Sequence, residues 1–214
     1  GSSCMTAGTQ PALKEKLLKH FNADEIGEIC CLGRCHENSS FHVNGKNYSG
    51  QAVDEIETVK KDNPVISDKY HVAAYGTPVL STVFPGINEY YSILAEALIK
   101  SADELLAELK LSGLRGRGGA GFPIAFKLEA CKKEISKQKF IVCNADEGDP
   151  GAYSDRYLLE QQTHSVLLGM MIAGYITGAD TGVVYIRAEY PESISITQKA
   201  IDDLYKLQLL GENI

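Results

Sequence analysis

From Gly113 to Pro123 the chain reads Gly-Leu-Arg-Gly-Arg-Gly-Gly-Ala-Gly-Phe-Pro, with five glycines in its first nine residues and two arginines among them. Such a stretch strips side chains from a backbone against which something must lie close. Its glycines also permit the φ > 0 turns that a loop of this kind needs. Arg115 and Arg117 add charge and bidentate donors suited to phosphate. The stretch therefore reads as a loop that cradles a nucleotide. Gly116, Gly118 and Gly121 satisfy the spacing G-x-G-x-x-G, yet the loop follows a helical pattern rather than a strand. The ordinary dinucleotide fingerprint is thus not supported. Pro123, just after the loop, suits the first turn of a helix.

A second loop, Asn144-Ala-Asp-Glu-Gly-Asp-Pro-Gly151, sets Asp146, Glu147 and Asp149 within four residues. Massed carboxylates at a strand end chelate a hard cation or accept hydrogen bonds from ribose and ring groups. Read alone, the same run favours a solvated acidic turn over a ligand site. Asn144 offers both donor and acceptor, which suits a ring edge or a polyol hydroxyl.

The periodicities place these loops. Pro11–Phe21 carries Leu13, Leu17, Leu18 and Phe21 on one helical face. Phe41–Tyr48 reads as two short strands about an Asn-Gly turn, and Val53–Val59 as a short closing helix. Residues 61–89 read as a linker punctuated by Pro64, Pro78 and Pro85. Apolar spacing predicts a helix over Tyr91–Leu111 and another over Ile124–Ile135. Phe140–Cys143 and Gly182–Arg187 read as buried strands. Asp155–Thr177 reads as one long helix ended by Gly178, and Pro191–Leu210 as a further helix. Alternating helix and strand imply an α/β sandwich with a parallel sheet, whose ligands lie at the carboxyl ends of strands. Both Asn144–Glu147 and Arg187–Tyr190 fall at such ends, so the three ligand segments are expected to converge on one rim.

A net charge of −7 argues against a nucleic-acid partner. The most apolar stretch, residues 166–179, is shorter than the ~20 residues a membrane span requires and reads as a buried helix. No basic-then-apolar leader opens the chain, and its six cysteines suggest reduced thiols or metal ligands in the cytoplasm. Both ends read as cuts through a longer polypeptide.

GLRGRGGAGFP, then NADEGDPGAYSDR, then YIRAEY, in this order, resemble the flavin-binding subunit of respiratory complex I. They equally resemble the related diaphorase subunits of NAD-linked hydrogenases and formate dehydrogenases. The resemblance covers residues 80–214, and His164 and Gly169 also fit it. It implies a Rossmann-like FMN-binding domain over 90–214 that exchanges hydride between NAD(H) and FMN and passes single electrons to iron–sulfur clusters of partner subunits. By matching position, Gly116, Arg117 and Gly118 would lie along the flavin, with Lys127 reaching it from the next helix. Asn144, Asp146 and Glu147 would hold its ribityl chain and ring, with Asp149 beside them where the family more often has glutamate. Gly119, Ala120 and Phe122 would pack on the NADH side. Tyr185 and Glu189 would close the site, Glu189 accepting from a ribose and repelling a 2′-phosphate. No side-chain acid or base is implied, because the chemistry belongs to the cofactor. The chain departs from the family at Ile124, Ala125 and Leu128, where threonine, glycine and tryptophan are usual, and at Ala188, which replaces a glycine near the flavin. The family's later segments, including further flavin contacts and a [4Fe–4S] domain, lie beyond the sequence.

Residues 1–60 resemble the thioredoxin-like [2Fe–2S] module that some hydrogenases fuse to this flavoprotein, with the pattern C-x4-C, spacer, C-x3-C. Cys31-Leu-Gly-Arg-Cys35 fits the second pair and Cys4 the end of the first, the remaining ligand lying before Gly1. Four thiolates are needed for two irons. Cys30 adjoins the motif without fitting it, and Cys131 and Cys143 read as core residues. The alternatives are an iron–sulfur electron carrier without flavin activity and a fragment that only docks partner subunits.

Overall fold

The computed structural model describes residues 1–62 and 72–212, so Pro64 and the adjoining part of the expected linker lie outside the described residues. In chain order the elements are α1 (Ser2–Ala7), α2 (Gln10–Leu17), β1 (Ser40–Val43), β2 (Lys46–Ser49), α3 (Ile56–Asp62), α4 (Ile87–Tyr90), α5 (Ser92–Ile99) and α6 (Ala102–Ser112). They continue with α7 (Ile124–Lys133), β3 (Phe140–Ala145), α8 (Ser154–Gln161), α9 (Thr163–Thr177), β4 (Thr181–Ile186) and α10 (Pro191–Lys206). The fold is α/β, and it divides into two compact units.

One unit joins residues 1–81, 145–163 and 186–214. Its antiparallel hairpin pairs Phe41 with Tyr48 across Asn44-Gly45, both in positive φ (51° and 77°) as an Asn-Gly hairpin turn demands. Phe41, Tyr48, Val53, Ile56 and Val59 form the core beneath it, with Leu13, Leu17 and Phe21 packed alongside. Helix α10 starts on Pro191 and packs against α8 and β2. Its buried residues Ser193, Thr197, Ala200 and Leu204 recur at helical spacing.

The other unit joins residues 82–144 and 164–185. Leu105, Leu106, Ala125 and Ile176 form its core, with Leu109, Leu128 and Ile172 against them. The expected helix over Tyr91–Leu111 is two helices, because Ser101 caps α6 in a capping box with Glu104 (Glu104 N to Ser101 Oγ 3.3 Å, Ser101 N to Glu104 Oε2 2.8 Å). That Ser-x-x-Glu start signal interrupts a continuous apolar pattern. The expected single helix over Asp155–Thr177 likewise breaks, at Gln162, whose backbone leaves the helical region (φ −133°, ψ 30°). Gly178, at φ 72°, ends α9 as the sequence indicates.

β3 and β4 are hydrogen-bonded neighbours, but they are not the buried strands that their apolar runs suggest. Phe140, Val142 and Tyr185 are 49%, 60% and 59% exposed. Period-two alternation explains this. Gly174 of α9 lies beside Ile141, and Met170 beside Gly182, so α9 covers one face of the sheet and the opposite side chains stay open. None of the described helices is long and apolar enough to cross a membrane.

Candidate functional site

The glycine loop is a closed lasso. Arg115 and Pro123 form an antiparallel bridge, Gly116 N–H donates to Phe122 O (2.8 Å) and Ile124 N–H to Leu114 O (3.0 Å). The Arg115 guanidinium turns inward and donates to Gly121 O at 3.0 Å, so this arginine braces the loop rather than pointing at a ligand. Positive φ at Gly119 (106°) and Gly121 (58°) turns the chain where a side chain would be strained. Nothing lies within 4 Å of where a Cβ would sit on Gly118, Gly119 or Gly121, so these faces open to space. Arg117 and Ala120 are exposed on the same loop. Phe122 meets Phe126 edge-on at 5.6 Å, and the Lys127 ammonium sits 5.8 Å over the Phe122 ring. Donors, an aromatic face and bare backbone are thus displayed together, a set that suits a planar phosphorylated cofactor. Asn144 and Tyr185, both exposed, belong to this unit near the ends of β3 and β4.

Asp146, Glu147, Asp149, Ala188 and Glu189 belong to the other unit. Glu147 is largely engaged locally. Its Oε1 accepts from Ser154 N–H (3.0 Å) and Ser154 Oγ–H (2.9 Å), and its Oε2 from Asp155 N–H (3.1 Å) and Arg156 N–H (3.4 Å). A carboxylate across the first turn satisfies the helix's orphan donors and complements its dipole. Burial, reinforced by the Glu147 charge, raises the Asp155 carboxyl above its ordinary range. Arg187 donates to Glu147 O and grips both oxygens of Glu189 (3.2 Å each). That grip holds the Glu189 carboxyl below the usual carboxylate range, with burial opposing it. The Tyr190 ring lies between two guanidinia, Arg187 at 5.1 Å and Arg156 at 5.8 Å. Burial, then the Glu147 charge, pushes its hydroxyl above the ordinary phenol range. Asp146, Asp149 and Ala188 are exposed.

The cysteine loop is in this same unit. Cys31 Sγ and Cys35 Sγ are 3.2 Å apart across a turn that Gly33 makes at φ 70°. Gly151 N–H donates to Cys35 Sγ at 3.1 Å. Burial and then the Cys31 hydrogen bond push the Cys35 thiol up, and the Gly151 N–H partly offsets them. Cys4 and Cys31 are buried and Cys30 is exposed. A cavity of about 610 Å3 is lined by Cys4, Cys30, Cys31, Cys35, Leu13 and Phe41, among others. Soft thiols suit an iron–sulfur centre, but among the described residues no three His, Cys, Asp or Glu side chains converge as metal ligands. Cys131 and Cys143, expected in the core, are half-buried.

Arg156 and Arg187 escape a reading of the sequence, although both sit inside the second and third motifs. The signal is present for Arg156: a cation in the first turn of a helix opposes the macrodipole and needs another reason to be there.

Residues 109–210 match the model of the Nuo51 FMN-binding domain, the Complex1_51K family. The NADP-reducing hydrogenase subunit HndC of Solidesulfovibrio fructosivorans is 52% identical over 124 residues, 58% of this chain and 25% of that protein. The alpha subunit of the NAD-reducing hydrogenase HoxS of Cupriavidus necator is 38% identical over 131 residues, 61% of this chain and 22% of that protein. An NADH-quinone oxidoreductase subunit of Rhizobium meliloti is 41% identical over 125 residues, 58% of this chain and 30% of that protein. The chain therefore spans between a fifth and a third of the length of these relatives. A crystal structure of an NAD+-reducing [NiFe]-hydrogenase in the air-oxidized state superposes with a TM-score of 0.74 at 27% identity. That match covers 94% of this chain and 38% of the other. Over residues 109–210 the chain is thus similar to the Nuo51 FMN-binding domain.

Proposed function

We propose that the chain is part of an NADH:acceptor oxidoreductase module in a multisubunit, cytoplasmic redox complex. The functional division is a thioredoxin-like cysteine-bearing segment at 1–60, a linker at 61–89 and the N-terminal part of an FMN- and NADH-binding domain at 90–214. The observation that carries the reading is the lassoed glycine loop, whose open backbone faces leave room for a flat cofactor beside Arg117, Phe122 and Lys127. Bound FMN would supply hydride exchange with NAD(H). This chain's residues would then bind and orient: Gly116, Arg117, Gly118 and Lys127 toward the flavin, and Gly119, Ala120 and Phe122 toward the nicotinamide nucleotide. Asn144, Asp146, Glu147, Asp149, Tyr185, Ala188 and Glu189 complete the proposed contacts. Because Arg187 compensates the Glu189 charge, discrimination against a 2′-phosphate is expected to be weaker than a bare carboxylate would give.

Cys4, Cys31 and Cys35 are the candidate ligands for a [2Fe–2S] cluster, through which electrons would reach partner subunits. Such a cluster needs four thiolates, and the described residues gather only the Cys31–Cys35 pair.

The test is reconstitution of the purified chain with FMN. A retained flavin band near about 450 nm, lost in Arg117→Glu, supports the reading, since the cofactor's own spectrum reports its binding. A chain that releases all FMN on gel filtration, with wild type and variant alike, refutes flavin binding by this segment.

A further inference from the structure

We infer that Arg156 and Gly151 are positioning residues for the Cys31–Cys35 pair, which they hold preformed as a site for a thiophilic centre that takes two thiols at once. The inference concerns one compact unit and does not rest on the flavin reading. The Arg156 side chain is fully buried and reaches back across more than a hundred residues of sequence. Its Nη1 donates to Leu32 O (3.5 Å) and Gly33 O (3.3 Å), the carbonyls of two of the three residues that lie between the cysteines. Carbonyls buried in a turn have no strand or helix partner, and a guanidinium with five N–H donors supplies one without leaving its own charge unpaired. Glu160 takes the Nε–H at 2.8 Å and is itself bonded by Ser193 at 2.9 Å.

Other contacts fix the same loop. Gly151 N–H reaches Cys35 Sγ. The His36 ring lies 5.2 Å from that of Tyr153, and Arg34 grips both oxygens of Glu37 (2.6 and 3.1 Å). The Tyr190 ring fills the place where a Gly33 side chain would stand. Gly151, Tyr153, Arg156 and Tyr190 all lie within the family-matched segment 109–210, whereas the cysteine loop precedes it. The flavin-family segment therefore carries the base on which a thiol pair is set. A pair already ordered at 3.2 Å avoids the ordering cost that two mobile thiols would meet on capture.

The probe is phenylarsine oxide, added in equimolar amount to the reduced, metal-free full chain. Two As–S bonds form, the two thiol protons leave with the arsenic-bound oxygen as water, and nothing is oxidised. Peptide mass spectrometry after iodoacetamide should find Cys31 and Cys35 protected together, with Cys30, Cys131 and Cys143 alkylated as without the probe. Arg156→Lys keeps the charge but loses the fork, and should weaken arsenical capture about tenfold, the worth of one charged hydrogen bond. Capture through Cys30, or unchanged affinity in a folded Arg156→Lys chain, overturns the inference. If that variant does not fold, the wild type decides. The native pair should capture the probe more tightly than the same pair in the urea-unfolded chain, and equal affinity overturns the inference.

Discussion

Gly33→Ala puts the cysteine loop under a defined load. Gly33 sits at φ 70°, and a Cβ there would lie 2.5 Å from Tyr190 Cε1 and 2.9 Å from both Cζ and the hydroxyl oxygen. The backbone contribution is about 1 kcal/mol for a non-glycine residue in the left-handed region. The steric contribution is that of overpacking, about 1–3 kcal/mol. Tyr190 is 0% exposed and its ring is bracketed by two guanidinia, which limits how far it can recoil. The expected total is about 2–4 kcal/mol. With a urea slope of about 2 kcal/mol/M, the far-UV circular dichroism midpoint should fall by about 1–2 M. Two companions separate the contributions. Gly45→Ala carries a positive φ of 77° with nothing within 4 Å, so it reports the backbone cost alone. Gly118→Ala has neither positive φ nor a close neighbour and should stay within about 0.5 kcal/mol of wild type. If Gly33→Ala costs no more than Gly45→Ala, Tyr190 yields to the methyl and the ring is not the rigid wedge described above.

Glu147→Gln removes the charge that four donors of the first turn of α8 share. It should destabilise the chain by about 1–2 kcal/mol, read as a lower urea midpoint, and a neutral result would deny the carboxylate its capping role. The Glu189–Arg187 pair gives a pH signature: a carboxyl lowered in the fold contributes stability above its unfolded value of about 4.3. That contribution is lost as the pH falls through the lowered folded value. The urea midpoints of wild type and Glu189→Gln should therefore differ near neutrality and converge in acid. A gap that widens in acid contradicts the assignment.

Much of the secondary structure is legible in the sequence because local chemistry decides it. Asn44-Gly45 dictates the hairpin, Pro191 starts α10 and Gly178 stops α9, each through backbone preferences that neighbours do not override. The differences between expectation and structure have a common origin. Apolar periodicity continues across Ser101 and Gln162, so it joins Tyr91–Leu111 and Asp155–Thr177 into single helices where capping and backbone geometry break them. Phe140–Cys143 and Gly182–Arg187 look buried by composition because an apolar run does not say how many faces of a sheet will be covered.

The candidate site is legible as a set of residue types, and less so as a division of labour. Glycine density announces a bare backbone, and the open faces of Gly118, Gly119 and Gly121 agree with it. Arginine does not announce its target. Of the loop's two arginines, Arg115 turns inward to Gly121 O, while Arg117 stays exposed. Of the two in the later motifs, Arg187 engages Glu189 and Glu147 O, and Arg156 the carbonyls of Leu32 and Gly33. A guanidinium is satisfied equally by phosphate, carboxylate or a pair of carbonyls, so its partner is set by which segment the fold brings within reach. In the second acidic loop the same holds for Glu147, whose carboxylate is taken by the helix it precedes. Motif residues of this chain therefore serve two masters: some face open space, and others build the support on which the cysteine loop rests.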